Sequence, residues 1–110
     1  MAKFERRIIG DFDKVLKTCM DAVTQGSMST TYEDGSDFEI EGTRVAVRVF
    51  ERYSMLGKNR VSMNLTIFGR GNELFLSAIT SGGSQAVLLK INTFGEKAFL
   101  DTLAKELEKY

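Results

Sequence analysis

The chain has no histidine, no tryptophan and no proline, and a single cysteine in 110 residues. Losing histidine removes the commonest general base and the commonest metal ligand together. A Ser-His-Asp arrangement is excluded, and one cysteine without histidine cannot build a zinc site of the usual kind within one chain. Cys19 cannot close an internal disulfide, so the chain is not a disulfide-stapled secreted module. No apolar run approaches the roughly 18 residues of a membrane helix. The start, MAKFERRIIG, carries no apolar stretch of signal-peptide length. Cytoplasmic residence and no membrane partner are therefore expected. Fifteen basic residues cancel fifteen acidic ones, leaving no whole-molecule field to hold nucleic acid. No cofactor motif, repeat or linker interrupts the chain, which is read as one domain over 1–110.

What is present is a 43% hydrophobic complement arranged with two different periods. In DFDKVLKTCMDAVTQG the apolar residues Phe12, Val15, Leu16, Cys19, Met20 and Val23 fall at helical spacing. Asp11 is placed to cap the start and Gly26 to end it. Cys19 lies within the apolar stripe and reads as a core residue rather than a reactive thiol. A second helix is expected from TFGE, where Thr93 and Glu96 have capping-box spacing. Its buried face would be Phe99, Leu100, Leu103 and Leu107.

Between these helices the period falls to two. Val45, Val47 and Val49 alternate, then Val61, Met63, Leu65 and Ile67, then Leu74, Leu76 and Ala78, then Val87, Leu89 and Ile91. In a sheet buried on one face these sets must lie opposite one another. A hairpin around FGRGNE pairs Ile67 with Leu74 and Leu65 with Leu76. A Gly42–Thr43 turn pairs Ile40 with Val45 and Glu41 with Arg44. A Gly82–Gly83 turn in SGGS pairs Ala78 with Val87, Leu76 with Leu89 and Leu74 with Ile91. That turn is favoured over a phosphate loop, because a phosphate cradle opens onto a helix and this glycine pair leads into an expected strand. Glu33, Asp34 and Asp37 fall in an expected loop, read as a solvated acidic turn because the spacing of a calcium loop is absent. With KFERRIIG as a first strand, the expected fold is α+β: an antiparallel β-meander with two helices on one face, in the order strand, helix, five or six strands, helix. Small helix-grip and TATA-binding-protein-like folds share this topology, and topology does not give function.

Two stretches, VRVFERYSMLGKNRVSMNLTIFG and LFLSAITSGGSQAVLLKINTFGE, resemble a family of short single-domain bacterial proteins of unknown function. The resemblance covers nearly the whole chain. It implies a small bacterial cytoplasmic protein and brings no activity, substrate or catalytic residue.

Two binding functions are expected, ranked above any catalysis. In the first, the sheet face away from the helices makes a homo-oligomer, a dimer by default, or docks another protein. Phe50, Phe68, Phe75, Ile79 and Leu88 are its candidate anchors, with Arg48 and Arg52 as polar rim. In the second, a cavity between the sheet and the C-terminal helix holds a small apolar ligand. Tyr32, Tyr53, Met55 and Met63 are its candidate lining, and Ser81, Ser84 and Gln85 its lip. Arg44, Arg48 and Arg52 share one face with aromatics, but neutral net charge and nearby carboxylates argue against nucleic-acid binding.

Overall fold

In the computed structural model, residues 1–26, 29–54, 59–82 and 89–110 are described. The elements run β1 (Ala2–Ile9), α1 (Phe12–Gln25), β2 (Thr30–Ile40), β3 (Thr43–Ser54), β4 (Asn59–Arg70), β5 (Glu73–Gly82) and α2 (Leu89–Glu106), followed by a 3-10 turn at Leu107–Lys109. Every strand pair is antiparallel, and the order across the five-stranded sheet is β1-β5-β4-β3-β2. The fold is thus α+β, a meander from β2 to β5 whose far edge is completed by the first strand.

Helix α1 forms where the apolar period and the caps agree. The Asp11 carboxylate accepts the Lys14 backbone N–H at 2.9 Å, satisfying one of the donors a helix start leaves open. Phe12, Val15, Cys19 and Val23 are buried along one stripe, and Leu16 and Met20 pack at its border. Gly26 stops the helix in right-handed geometry with φ −70°. Its need for glycine is spatial, since a Cβ there would stand 3.0 Å from Thr102 Cγ2 of α2.

Helix α2 presents Phe99, Leu100, Leu103 and, just beyond it, Leu107 to the core. Beneath the two helices lie Ile8 of β1, Leu74, Leu76 and Ala78 of β5, and Val61, Met63, Leu65 and Ile67 of β4. Each full burial of such a side chain is worth about 1.5–3 kcal/mol.

The structure corrects the sequence reading in five places. Helix α2 begins at Leu89, so Leu89 and Ile91 are helical and Thr93 is inside the helix rather than capping it. No sixth strand stands beside β5, because β1 occupies that edge from Ala2↔Thr80 to Ile9↔Glu73. Gly82 closes β5; Gly83, Ser84, Ala86 and Val87 lie outside the described residues. The segment from Glu33 to Asp37 is strand, not loop: β2 runs through it with a bulge between Tyr32 and Asp34.

The two hairpin turns sit one residue from their expected places. Glu41 and Gly42 both take positive φ, 50° and 83°, the signature of a two-residue type I′ turn. Gly71 turns the β4–β5 hairpin at φ 61°. These turns pair Ile40 with Thr43 and Ile67 with Leu76, each two residues from the expected register, which keeps the faces of β4 and β5.

The fifth correction inverts a strand. Phe50 pairs with Met63 and Ala46 with Ile67, so β3 turns Ala46 and Phe50 to the helices and Val45, Val47 and Val49 away from them. A one-residue slip exchanges every side chain between faces. The observed register is favoured because it buries Phe50, the largest apolar residue of β3, and supports three arginines around it. The Arg44 guanidinium lies 4.1 Å from the centroid of the Phe12 ring, and that of Arg52 lies 5.4 Å from the centroid of Phe99. Arg48 donates to both Asp37 carboxylate oxygens at 2.9 and 3.0 Å and to the carbonyls of Ser36 and Val47. Arginine stems can cover apolar edges while their heads find polar partners.

Gly69 shows how closely α1 sits on the sheet. A Cβ at this position would come within 2.6 Å of the Phe12 ring and 2.7 Å of Leu74 Cδ2. Gly69→Ala is therefore expected to destabilise the fold by about 1–3 kcal/mol, the usual cost of overpacking. Urea unfolding checks this, and an unchanged midpoint would show that Phe12 does not rest there.

Candidate functional site

The uncovered face of the sheet is read directly from the strand registers. Across β1, β5, β4, β3 and β2 its rows are Ile9–Glu73–Arg70–Thr43–Ile40, Arg7–Phe75–Phe68–Val45–Phe38, Glu5–Ser77–Thr66–Val47–Ser36 and Lys3–Ile79–Asn64–Val49–Asp34. The second row is apolar in four of its five positions. With Ile9 and Ile40 beside it, it makes a band reaching both sheet edges. Exposure is 69% at Ile9, 68% at Ile40, 53% at Phe38, 46% at Phe68 and 39% at Phe75. Single exposed apolar residues are ordinary, but a contiguous group of this size on one sheet face is not.

The surface is shaped by strand alternation alone. Phe68 and Phe75 are directly paired neighbours, and Arg7, Ile9 and Glu73 join them around a shallow, open depression of about 430 Å³. Below the band the face turns polar. The Ser62 and Ser81 hydroxyls lie 3.2 Å apart, Thr66 donates to Asn64 Oδ1 at 3.1 Å, and Ser77 donates to Glu5 at 3.3 Å. Lys3 Nζ stands 3.9 Å from Glu5.

Of the anchors expected on this face, Phe68, Phe75 and Ile79 are there and exposed. Phe50 is not: it is fully buried on the helix side, with the Tyr32 ring edge-on to it at a centroid distance of 5.6 Å. Arg48 and Arg52 also belong to the helix side. Leu88 lies outside the described residues.

The ligand set is not brought together. Tyr32 is on the helix-side face of β2 and Tyr53 on the opposite face of β3, while Met63 is in the packed core. Ser81 is on the uncovered face, and Met55, Ser84 and Gln85 lie outside the described residues. Arg7, Ile9, Phe38, Ile40 and Val45 were missed as surface residues. The last three follow the β3–β4 register, Val45 against Phe68, which inverts β3 and carries β2 with it, and no local signal sets that register.

A five-stranded antiparallel sheet covered by two helices on one face and bare and apolar on the other defines a class, a two-layer α+β domain. Within that class the chain belongs to DUF6054, a family of unknown function whose model matches residues 1–110. Among solved structures it is similar in fold to PA94, a protein of unknown function from Pseudomonas aeruginosa provisionally described as a regulator. The TM-score is 0.52 at 8% identity, covering 88% of this chain and 78% of that one. No curated protein matches the sequence.

Electrostatics tie helix α1 to the sheet edge. Both Asp13 carboxylate oxygens accept from Arg44, at 3.0 and 3.2 Å. That hydrogen bonding holds the Asp13 carboxyl below the usual carboxylate range. A carboxyl with a lowered folded pKa stabilises the fold above its unfolded pKa, and this contribution disappears as pH falls through the folded value. Asp13→Asn should therefore lower the melting temperature slightly at neutral pH, with the gap to wild type closing in acid. A gap independent of pH would show that the pair does not form.

Proposed function

We propose that this chain is a non-catalytic association module whose uncovered sheet face binds a second copy of itself. The observation carrying the reading is the apolar band Ile9, Phe75, Phe68, Val45, Phe38 and Ile40, exposed at all but Val45 and left uncovered by the described residues. Five strands at about 4.8 Å and the seven-residue depth from Lys3 to Ile9 give a footprint of roughly 500 Å² or slightly more per partner. Two such footprints reach about 1,000 Å², the lower bound for a specific interface. The chemistry elsewhere supports a role without catalysis. The chain has no histidine, and burial pushes the Cys19 thiol up to about 12, so it stays protonated and inert at neutral pH.

An apolar ligand between sheet and α2 has no comparable support among the described residues, where Met63, Phe99 and Leu103 are fully buried in one cluster. We also read the chain as a bacterial cytoplasmic protein. Its lone buried cysteine is consistent with a reducing compartment, and none of its described helices is long and apolar enough to cross a membrane.

Phe75→Glu tests the association reading. Phe75 is exposed in the single chain, so a glutamate there costs the monomer little but would place a charge inside the interface. Sedimentation equilibrium should show a concentration-dependent dimer for wild type and a monomer for the variant, with unchanged circular dichroism. A wild type that stays monomeric at high micromolar concentration overturns the reading.

A further inference from the structure

β4 is the middle strand of an odd-numbered sheet, and the rows of the uncovered face can be compared with their own reversals about it. Reversing the apolar row sets Phe75 against Val45, Phe68 against itself and Arg7 against Phe38. Reversing the outer row sets Ile9 against Ile40. Reversing the far row sets Ile79 against Val49, and at its two ends Lys3 against Asp34. Apolar residues meet apolar residues in the other pairs, Arg7 lies on the Phe38 ring, and the terminal charges are opposite in sign; Arg70 meets its own counterpart, its guanidinium drawn aside to Thr43 Oγ1 at 3.0 Å.

A two-fold axis across the strands performs differently. It lays β1 on β1 and reverses row order: centred between the two middle rows it sets Phe75, Phe68 and Phe38 on Ser77, Thr66 and Ser36, and centred on the Glu5 row it sets Lys3 against Arg7 and Phe38 against Asp34. Rings on hydroxyls in the one, and like charges with a ring on a carboxylate in the other, make both packings poorer.

Resting on the self-association reading above, we infer that two copies pack face to face about a two-fold axis running along β4, with Phe68 against its own counterpart and Lys3 of each copy paired with Asp34 of the other. The arrangement is an isologous sandwich, in which each contact occurs twice except those on the axis. Facing sheets cross at about −30°, so contacts near β4 keep their rows most closely. The flexible lysine stem accommodates the offset at the edges. Asp13, Arg44, Arg48 and Arg52 all lie on the helix side and take no part.

The charge pair offers a test that a single chain cannot imitate. Lys3 and Asp34 stand on opposite edges of the sheet, four strand intervals or about 19 Å apart, so they do not touch within one copy. Lys3→Asp and Asp34→Lys should each weaken the dimer about tenfold or more, and the double variant should recover most of that loss. Cross-linking reports the axis. Facing sheets lie about 10 Å apart, beyond the reach of a disulfide, so a short bismaleimide is the probe. Phe68→Cys should give a covalent dimer, because position 68 faces itself. Glu5→Cys should not, because the two copies of position 5 are then about 20 Å apart. Native Cys19 is fully buried and stays silent.

Recovery in the double variant together with cross-linking at 68 alone supports the inference. A dimer that forms, is broken by Phe75→Glu, and yet cross-links at position 5 and not 68 overturns the axis while leaving self-association standing. A wild type with monomer mass at all concentrations overturns both. A dimer indifferent to Phe75→Glu places association on another surface and overturns both as well.

Discussion

Strand alternation commits every residue of a sheet to one of two faces, and this chain has helices for only one of them. α2 lies over β5, β4 and β1 and α1 beside it over β4 and β2, and the core formed beneath them holds nearly all the fully buried side chains. That sidedness fixes much else in the molecule. It requires glycine at position 69, where Phe12 rests on the backbone. It also leaves the opposite rows in solvent, including three phenylalanines. With no third layer among the described residues, that face must either stay polar or be covered from outside, and here polar side chains predominate only in its lower half.

β3 is the strand on which the balance turns. Its arginines occupy the helix side and its valines the bare side, the reverse of what hydropathy alone suggests. The arrangement holds because each guanidinium has a partner: the Phe12 ring and Asp13 for Arg44, Asp37 for Arg48, the Phe99 ring for Arg52. Gly35 belongs to the same arrangement, since a Cβ there would come within 2.9 Å of Arg48 Cδ. The arginines thus close the rim of the core along β3, two of them against helix residues. The cost is that Val45, Val47 and Val49 join Phe68 and Phe38 on the uncovered face.

These particulars explain what the sequence disclosed. Helix α1 was legible to its caps because propensity, period and capping agree there. The faces of β4 and β5 were legible because their apolar residues alternate without competition. β3 was not, because Val45, Val47 and Val49 form a better apolar alternation than Ala46, Arg48 and Phe50; only the register with Met63 and Ile67 decides between them, and register is non-local. The sixth strand failed for a related reason. Leu89 and Ile91 carry a strand-like alternation, but the edge they would need is taken by β1, which is distant in sequence. Of the candidate site, Phe68, Phe75 and Ile79 were placed on the right face from pattern alone. Ile9 required the strand order, and Phe38 and Ile40 the register of β3 on β4, which carries β2 with it.

The central claim is that the bare apolar face is covered by association, and methyl resonances report on it residue by residue. Ile9, Ile40, Val45, Val47 and Ile79 lie on that face, whereas Val15, Val23 and Val61 are sealed in the core. Methyl spectra recorded from low micromolar to near-millimolar protein should show the first group shifting together with concentration while the second stays fixed. Free-face methyl signals that do not move over that range would contradict the account.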